Sequence, residues 1–205
     1  MTIVLVGGGG HCRACLDVIA QAKLTVAGIV DSRPVAADMP DRLGDDTWLD
    51  SEAARAVRYL VTVGQVDVSP RRRQIFDALL KRGFECATLI SPTAIVANEK
   101  ALGAGSIVMH RAVVNRGALI GDNCIINTGA IIEHDARVDH HVHVSTGAII
   151  NGGVQIGEGC MIGSGAIILQ DIRIAPNVLV GAGAVVTRDI DAAGTWRGIP
   201  ARQST

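Results

Sequence analysis

The residues best equipped for chemistry lie in the second half of the chain, where Glu133-His134-Asp135 is followed by His140-His141-Val142-His143. A histidine flanked by carboxylates can be held in one tautomer and made more basic, which is what a general base needs. It can equally be a solvated corner residue, as ordinary as Asp122 or Glu158. The His140-His141-His143 cluster raises the question of a metal, but three histidines crowded within four residues make that a minority reading. Cys12-Arg13-Ala14-Cys15 has redox spacing, yet it sits at a glycine turn without the surrounding redox pattern, so packing is the reading. At the amino end, Gly7-Gly8-Gly9-Gly10-His11 offers a turn whose backbone N–H groups can hold a phosphate.

The element that must carry His134 is a repeat. From Ile90 to Val186 every sixth residue is a branched aliphatic, among them Ile126, Ile132, Val138, Val144 and Ile150. Neither a helix period nor strand alternation alone gives this beat, and a six-residue repeat reads as a parallel β-helix. Two residues before most stops sits a small residue, such as Ala112, Cys124, Ala130, Ala136 or Ala148, so large and small side chains alternate inside a narrow prism. Three hexads close one coil, and residues eighteen apart stack. His134, two residues past Ile132, then lies at a corner and points away from the interior. The glycines that follow the stops (Gly103, Gly121, Gly157, Gly163, Gly181) are expected to supply the turns and the positive φ.

The first ninety residues read differently. Ile3 to Val6 is a strand, the glycine turn follows, Cys15, Leu16, Val18 and Ile19 mark one buried helix face, and Leu24 to Val30 is a second strand ending at Asp31-Ser32-Arg33. This is the opening of a Rossmann-type unit, weak as a dinucleotide fingerprint because Cys12 takes the third glycine's place. Residues 34–50 read as a loop or irregular crossover. Tyr59 to Val63 is a third strand ending at Gly64-Gln65. Ser69 is expected to cap a helix with Pro70 at its first position, and Gly83 to stop it. Phe84 to Leu89 reads as a last strand, and Arg71-Arg72-Arg73 as a solvated face. Ninety residues hold one mononucleotide-binding half, so a nucleoside diphosphate fits better than NAD. Gly8, Gly9, Gly10, His11, Asp31, Ser32, Arg33 and Gly64 all fall at the carboxyl edge of the sheet, where ligands bind in open α/β folds. The fold class is thus an α/β Rossmann-like domain over residues 1–90, followed by an all-β parallel β-helix over 91–205.

Composition narrows the partners. The 205 residues carry a net charge of -1, 19 % charged and 2 % aromatic residues, which suggests neither nucleic acid nor a membrane surface as partner. No apolar run approaches membrane-spanning length, and the opening residues read as a strand rather than a signal peptide. Five cysteines without framework spacing fit a reducing cytoplasm.

The hexads resemble the hexapeptide-repeat acyltransferases, whose β-helix is left-handed and whose active sites lie between the prisms of a homotrimer. The whole set of Gly9-Gly10-His11, Glu133-His134-Asp135, His143 to Ala148 and Gly198-Ile199-Pro200-Ala201-Arg202 resembles the NeuD and bacillosamine-pathway sugar acetyltransferases. Ser32 departs from that pattern, standing where an acidic residue is common. The resemblance implies an acetyl-CoA-dependent N-acetyltransferase acting on the 4-amino group of a nucleotide-linked amino-dideoxy sugar, with UDP the first expectation and no metal. It makes His134 the general base, Asp135 its orienting partner and the Gly152 backbone the oxyanion donor. Asn127 would hold the sugar, His143, Gly165 and Gly183 would line the pantetheine groove, and Arg202 would meet CoA phosphates. The alternatives are O-acetylation of a sialic-acid-like sugar, a zinc hydratase, and a non-catalytic nucleotide-sugar-binding protein.

Overall fold

The computed structural model describes residues 2–204. Four strands, β1 (Thr2–Val6), β2 (Thr25–Val30), β3 (Arg42–Gly44) and β4 (Arg58–Val61), build a parallel sheet of order β3-β2-β1-β4, with one α-helix between the first two strands and a second after the last. Helix α1 (Gly10–Gln21) buries Cys12, Cys15, Val18 and Ile19 against one side of that sheet, and α2 (Arg71–Lys81) buries Phe76 and Leu79 against the other. Fully burying such a side chain contributes roughly 1.5–3 kcal/mol.

Three expectations for this region change. Residues 34–50 contain the short edge strand β3 and a 3-10 turn, Asp46–Asp50, rather than loop alone. Pro70 is the residue before the helix, not its first, and Ser69 Oγ accepts only a long 3.4 Å bond from Arg71 N. The stretch from Phe84 to Leu89 is not a strand of this sheet. It touches the sheet through a single bridge between Tyr59 and Cys86, and Leu89–Ile90 already pairs with Ile107–Val108 of the prism.

The hexads form the prism. Rungs eighteen residues apart pair in parallel, as Ile125↔His143 and Ile131↔Ile149 do, and give three flat faces. The first face holds the rungs Ile107–Val108, Ile125–Ile126, His143–Val144 and Met161–Ile162; the second holds Val113–Val114, Ile131–Ile132, Ile149–Ile150 and Ile167–Ile168; the third holds Leu119–Ile120, Arg137–Val138, Gln155–Ile156 and Arg173–Ile174. The stops from Val108 to Val186 and the small residues two before them are buried in one continuous core.

The corner glycines work differently from the expectation. Positive φ falls three residues past each stop, from Gly105 to Gly183, and Arg111, Asn123, Asp135, His141, Asp171 and Asn177 adopt it as well. The glycines directly after the stops are needed for room. A Cβ on Gly121 would lie 2.7 Å from His140 N, and one on Gly157 2.6 Å from Pro176 N, in the next coil.

The faces differ outside. Leu89, Ile107 and Met109 on the first face are buried with α1 beneath the N-terminal domain. The second face presents half-buried Val113, Ile131, Ile149, Ile167 and Val185, and the third is largely polar, with exposed Arg137, Gln155 and Arg173.

Candidate active site

His134 occupies the corner between the second and third faces. Its Nδ1 lies 2.9 Å from Asp135 Oδ2, and a carboxylate only accepts, so Nδ1 carries the proton and Nε2 keeps the lone pair. The Asp135 bond, aided by the charges of Asp135, Glu133 and Asp171, raises the imidazole pKa above its usual value. Asp135 can stand beside the ring because its backbone takes the left-handed turn conformation, φ 61°. Glu133 is held aside by Asn115 Nδ2 at 2.8 Å.

One coil on, Gly152 stacks over the ring: a Cβ there would meet His134 Cε1 and Nε2 at 2.7 Å. Gly153 N donates to His134 O, whereas the Gly152 N–H has no protein acceptor among the described residues. Glu133, His134, Asn151, Gly152, Gln170 and Asp171 surround an open depression of about 420 Å³. The arrangement combines a base with an available lone pair and an unpartnered N–H beside it, as acyl transfer requires.

The glycine turn forms a second locus. Gly8 N donates to Asp31 Oδ2 at 2.8 Å and Arg33 N to Asp31 Oδ1 at 2.9 Å. Burial pushes the Asp31 carboxyl up, but these donors and the Arg33 charge outweigh it and hold it below the usual range. Ser32 and Arg33 are exposed beside it. A Cβ on Gly8 would strike Val35 at 2.5 Å, while Gly9 and Gly10 have nothing within 4 Å, so neighbouring chain does not require those two glycines. They open the start of α1, where N–H groups and the helix dipole favour an anion. Gly64 lies against His11, whose Cβ would be 3.1 Å from an added Cβ. Burial, the Arg72 cation and His143 lower the His11 pKa to about 3.

Asn127, Gly165 and Gly183 share the corner between the first and second faces, with open space over both glycines. His143, expected in the pantetheine groove, is 6 % exposed, with Nδ1 on Gln65 O and Nε2 3.0 Å from Asn127 Nδ2. Arg202 is exposed on the terminal hairpin, Arg202–Gln203 against Gly194–Arg197. The other histidines diverge: His140 is exposed beside Asp122 and Asp139, and His141 is buried against Phe76 and Asn123.

Sequence patterning does not reveal Arg72. It is 2 % exposed rather than solvated, and its guanidinium donates to carbonyls of Val61, Val63 and Asn123. Its place between two arginines carries no signal, since the packing of α2 against the end of β4 and a prism corner buries it.

Within one chain His134 and the glycine turn stay apart. The N-terminal domain covers the first face, and His134 stands at the corner opposite that face.

Family models match stretches in both halves of the chain. The PglD N-terminal domain model matches residues 2–79, the hexapeptide repeat of succinyl-transferase matches 101–134, and the bacterial transferase hexapeptide model matches 153–188. No curated protein matches the chain. Among solved structures, the acetyltransferase domain of PglB from Neisseria gonorrhoeae is 33 % identical, with 99 % of each chain covered and a TM-score of 0.89. The same domain with acetyl coenzyme A bound is 34 % identical over 99 % of this chain and 98 % of that one, TM-score 0.89. A histidine-to-asparagine variant of perosamine N-acetyltransferase from Caulobacter crescentus, in complex with CoA and GDP-perosamine, is 31 % identical over 100 % of this chain and 97 % of that one, TM-score 0.92. With identity above 30 % along the full length of both domains, the chain belongs to the sugar N-acetyltransferases of the hexapeptide-repeat, left-handed β-helix superfamily that carry a PglD-type N-terminal domain.

Proposed function

We propose that this protein transfers the acetyl group of acetyl-CoA to the 4-amino group of a nucleotide-linked amino-dideoxy sugar. The observation that carries the reading is the corner at His134, where a base with a free Nε2 lies beside the unpartnered Gly152 N–H. His134 Nε2 takes a proton from the sugar amine as its nitrogen attacks the thioester carbon. The Gly152 N–H steadies the oxyanion, and the thiolate of CoA leaves as the amide forms. The diphosphate of the sugar nucleotide lies at the open glycines Gly9 and Gly10. The solved relatives with acetyl-CoA, or with CoA and GDP-perosamine, support both ligand classes.

The working unit is a homotrimer. If three copies turn their apolar second faces to a common axis, each His134 corner meets the neighbour's Asn127, Gly165 and Gly183 corner, because those two corners flank the second face. That packing brings the base of one copy to the Asn127 sugar contact and the acetyl-CoA groove of the next. Five free cysteines suit a reducing compartment, and we place the reaction in the cytoplasm.

Thiol release from acetyl-CoA, measured with UDP-, dTDP- and GDP-linked amino sugars, tests the reading. Release with a 4-amino sugar nucleotide, UDP first among the candidates, is the expected result. Release only with hydroxyl acceptors, or with none of the panel, overturns it.

A further inference from the structure

Arg72 is a buried cation that the proposed reaction leaves unused. It has no carboxylate partner among the described residues. Its bonds run to Val61 O and Val63 O (2.9 Å) at the end of β4 and to Asn123 O (3.3 Å) on the prism, with Gly105 O at 3.5 Å. One side chain thus ties the strand end that leads into Gly64-Gln65 to two successive coils.

Beyond Val63 runs a chain of hydrogen bonds with fixed polarity. Gln65 O only accepts, so His143 Nδ1 donates to it, and the Gln65 amide reaches Cys160 O at 3.5 Å. Nε2 of the neutral ring then accepts from Asn127 Nδ2 at 3.0 Å. The Asn127 amide cannot turn over, because its Oδ1 accepts from Thr128 N at 2.8 Å. Its second N–H has no protein partner among the described residues, and Asn127 is only half-buried. The ring is kept neutral by burial, which with the Arg72 charge outweighs the Gln65 carbonyl and lowers its pKa to about 4.

We propose that Arg72, acting through Gln65 and His143, is a positioning residue that locks Asn127 as a hydrogen-bond donor toward the acceptor sugar. This rests on the nucleotide-linked amino sugar being the acceptor. The atom that Asn127 meets must accept a hydrogen bond, so it is an oxygen or an unprotonated amine and not an ammonium.

Nitrogen NMR of the histidine rings in the full-length wild type tests the lock without any turnover. His143 should show a protonated Nδ1 and an unprotonated Nε2 that do not change between about pH 5.5 and 8, a window above its lowered pKa. An Nε2–H ring, or titration in that range, overturns the proposal. Kinetics test the relay. His143→Ala should raise the acceptor KM about tenfold, the worth of one hydrogen bond, and leave the acetyl-CoA KM within about twofold. In an Asn127→Ala background the same change should add nothing; additive effects overturn the relay. Arg72→Met should raise the acceptor KM in the same way, with Arg72→Lys recovering part of it, and equal losses toward both substrates would reduce Arg72 to a structural residue. A wild type inactive with every sugar nucleotide would sink the functional reading instead, and the ring NMR would still decide the lock.

Discussion

His134 carries the sharpest expectation at the scale of single residues. His134→Ala should lower kcat by about a hundred- to ten-thousand-fold while acetyl-CoA still binds, as calorimetry can check. The raised imidazole pKa places the ascending limb of the wild-type pH–rate profile above the ordinary histidine value. Asp135→Asn removes the main cause of that shift, so the limb should move to lower pH, with a smaller loss of kcat. A limb that stays put would dissociate it from His134. Gly152→Ala separates space from chemistry: its Cβ would press on the His134 ring at 2.7 Å, so kcat should fall by about tenfold or more with little change in melting temperature. The flanking carboxylates make His134 readable in the sequence. The eighteen-residue stacking likewise places Gly152 one coil above it, but that the Gly152 N–H finds no protein acceptor among the described residues is decided by coil-to-coil register.

At the scale of elements the prism is a dry column, and Ile150 is 0 % exposed within it. Ile150→Asp would bury an unpaired carboxylate and should cost several kcal/mol, read as a large fall in denaturant midpoint. Gly157→Ala should cost about 1–3 kcal/mol, because the added methyl would sit 2.6 Å from the backbone of the next coil. An unchanged midpoint would mean that the coils can separate there. The hexad beat exposes these inward positions directly. The positive-φ corner lies two residues beyond the glycines that composition marks, since composition does not say whether φ or space demands a glycine.

At the scale of the whole molecule, light scattering should give a trimer. Ile149→Lys, on the half-buried second face, should shift it to monomer and abolish activity while the isolated fold persists. An active monomer would end the shared-site reading. Acid should also weaken the fold. His143 has a folded pKa lowered to about 4, so its contribution is present above the unfolded value near 6.5 and is lost as pH falls toward 4. That loss is on the order of 3 kcal/mol by about pH 4. His11, lowered to about 3, acts in the same direction. Thermal melts at about pH 7 and pH 4.5 check it, and His143→Asn should flatten the dependence.

The sequence by itself determined the repeat, the inward stops, the opening β-α-β unit and the exposed His134 corner, because each is written in local periodicity or in adjacent residues. Tertiary structure decided what depends on docking. Arg72 looks solvated beside Arg71 and Arg73, yet α2 seats it against a prism corner, where backbone carbonyls stand in for water. His143 looks like one of a cluster, but a rung position on the first face places it under the N-terminal domain, away from His140. Local pattern sets which side of a strand faces inward; only the packing of one domain on another sets which outward face is covered, and with it which polar groups are buried, neutral and aligned.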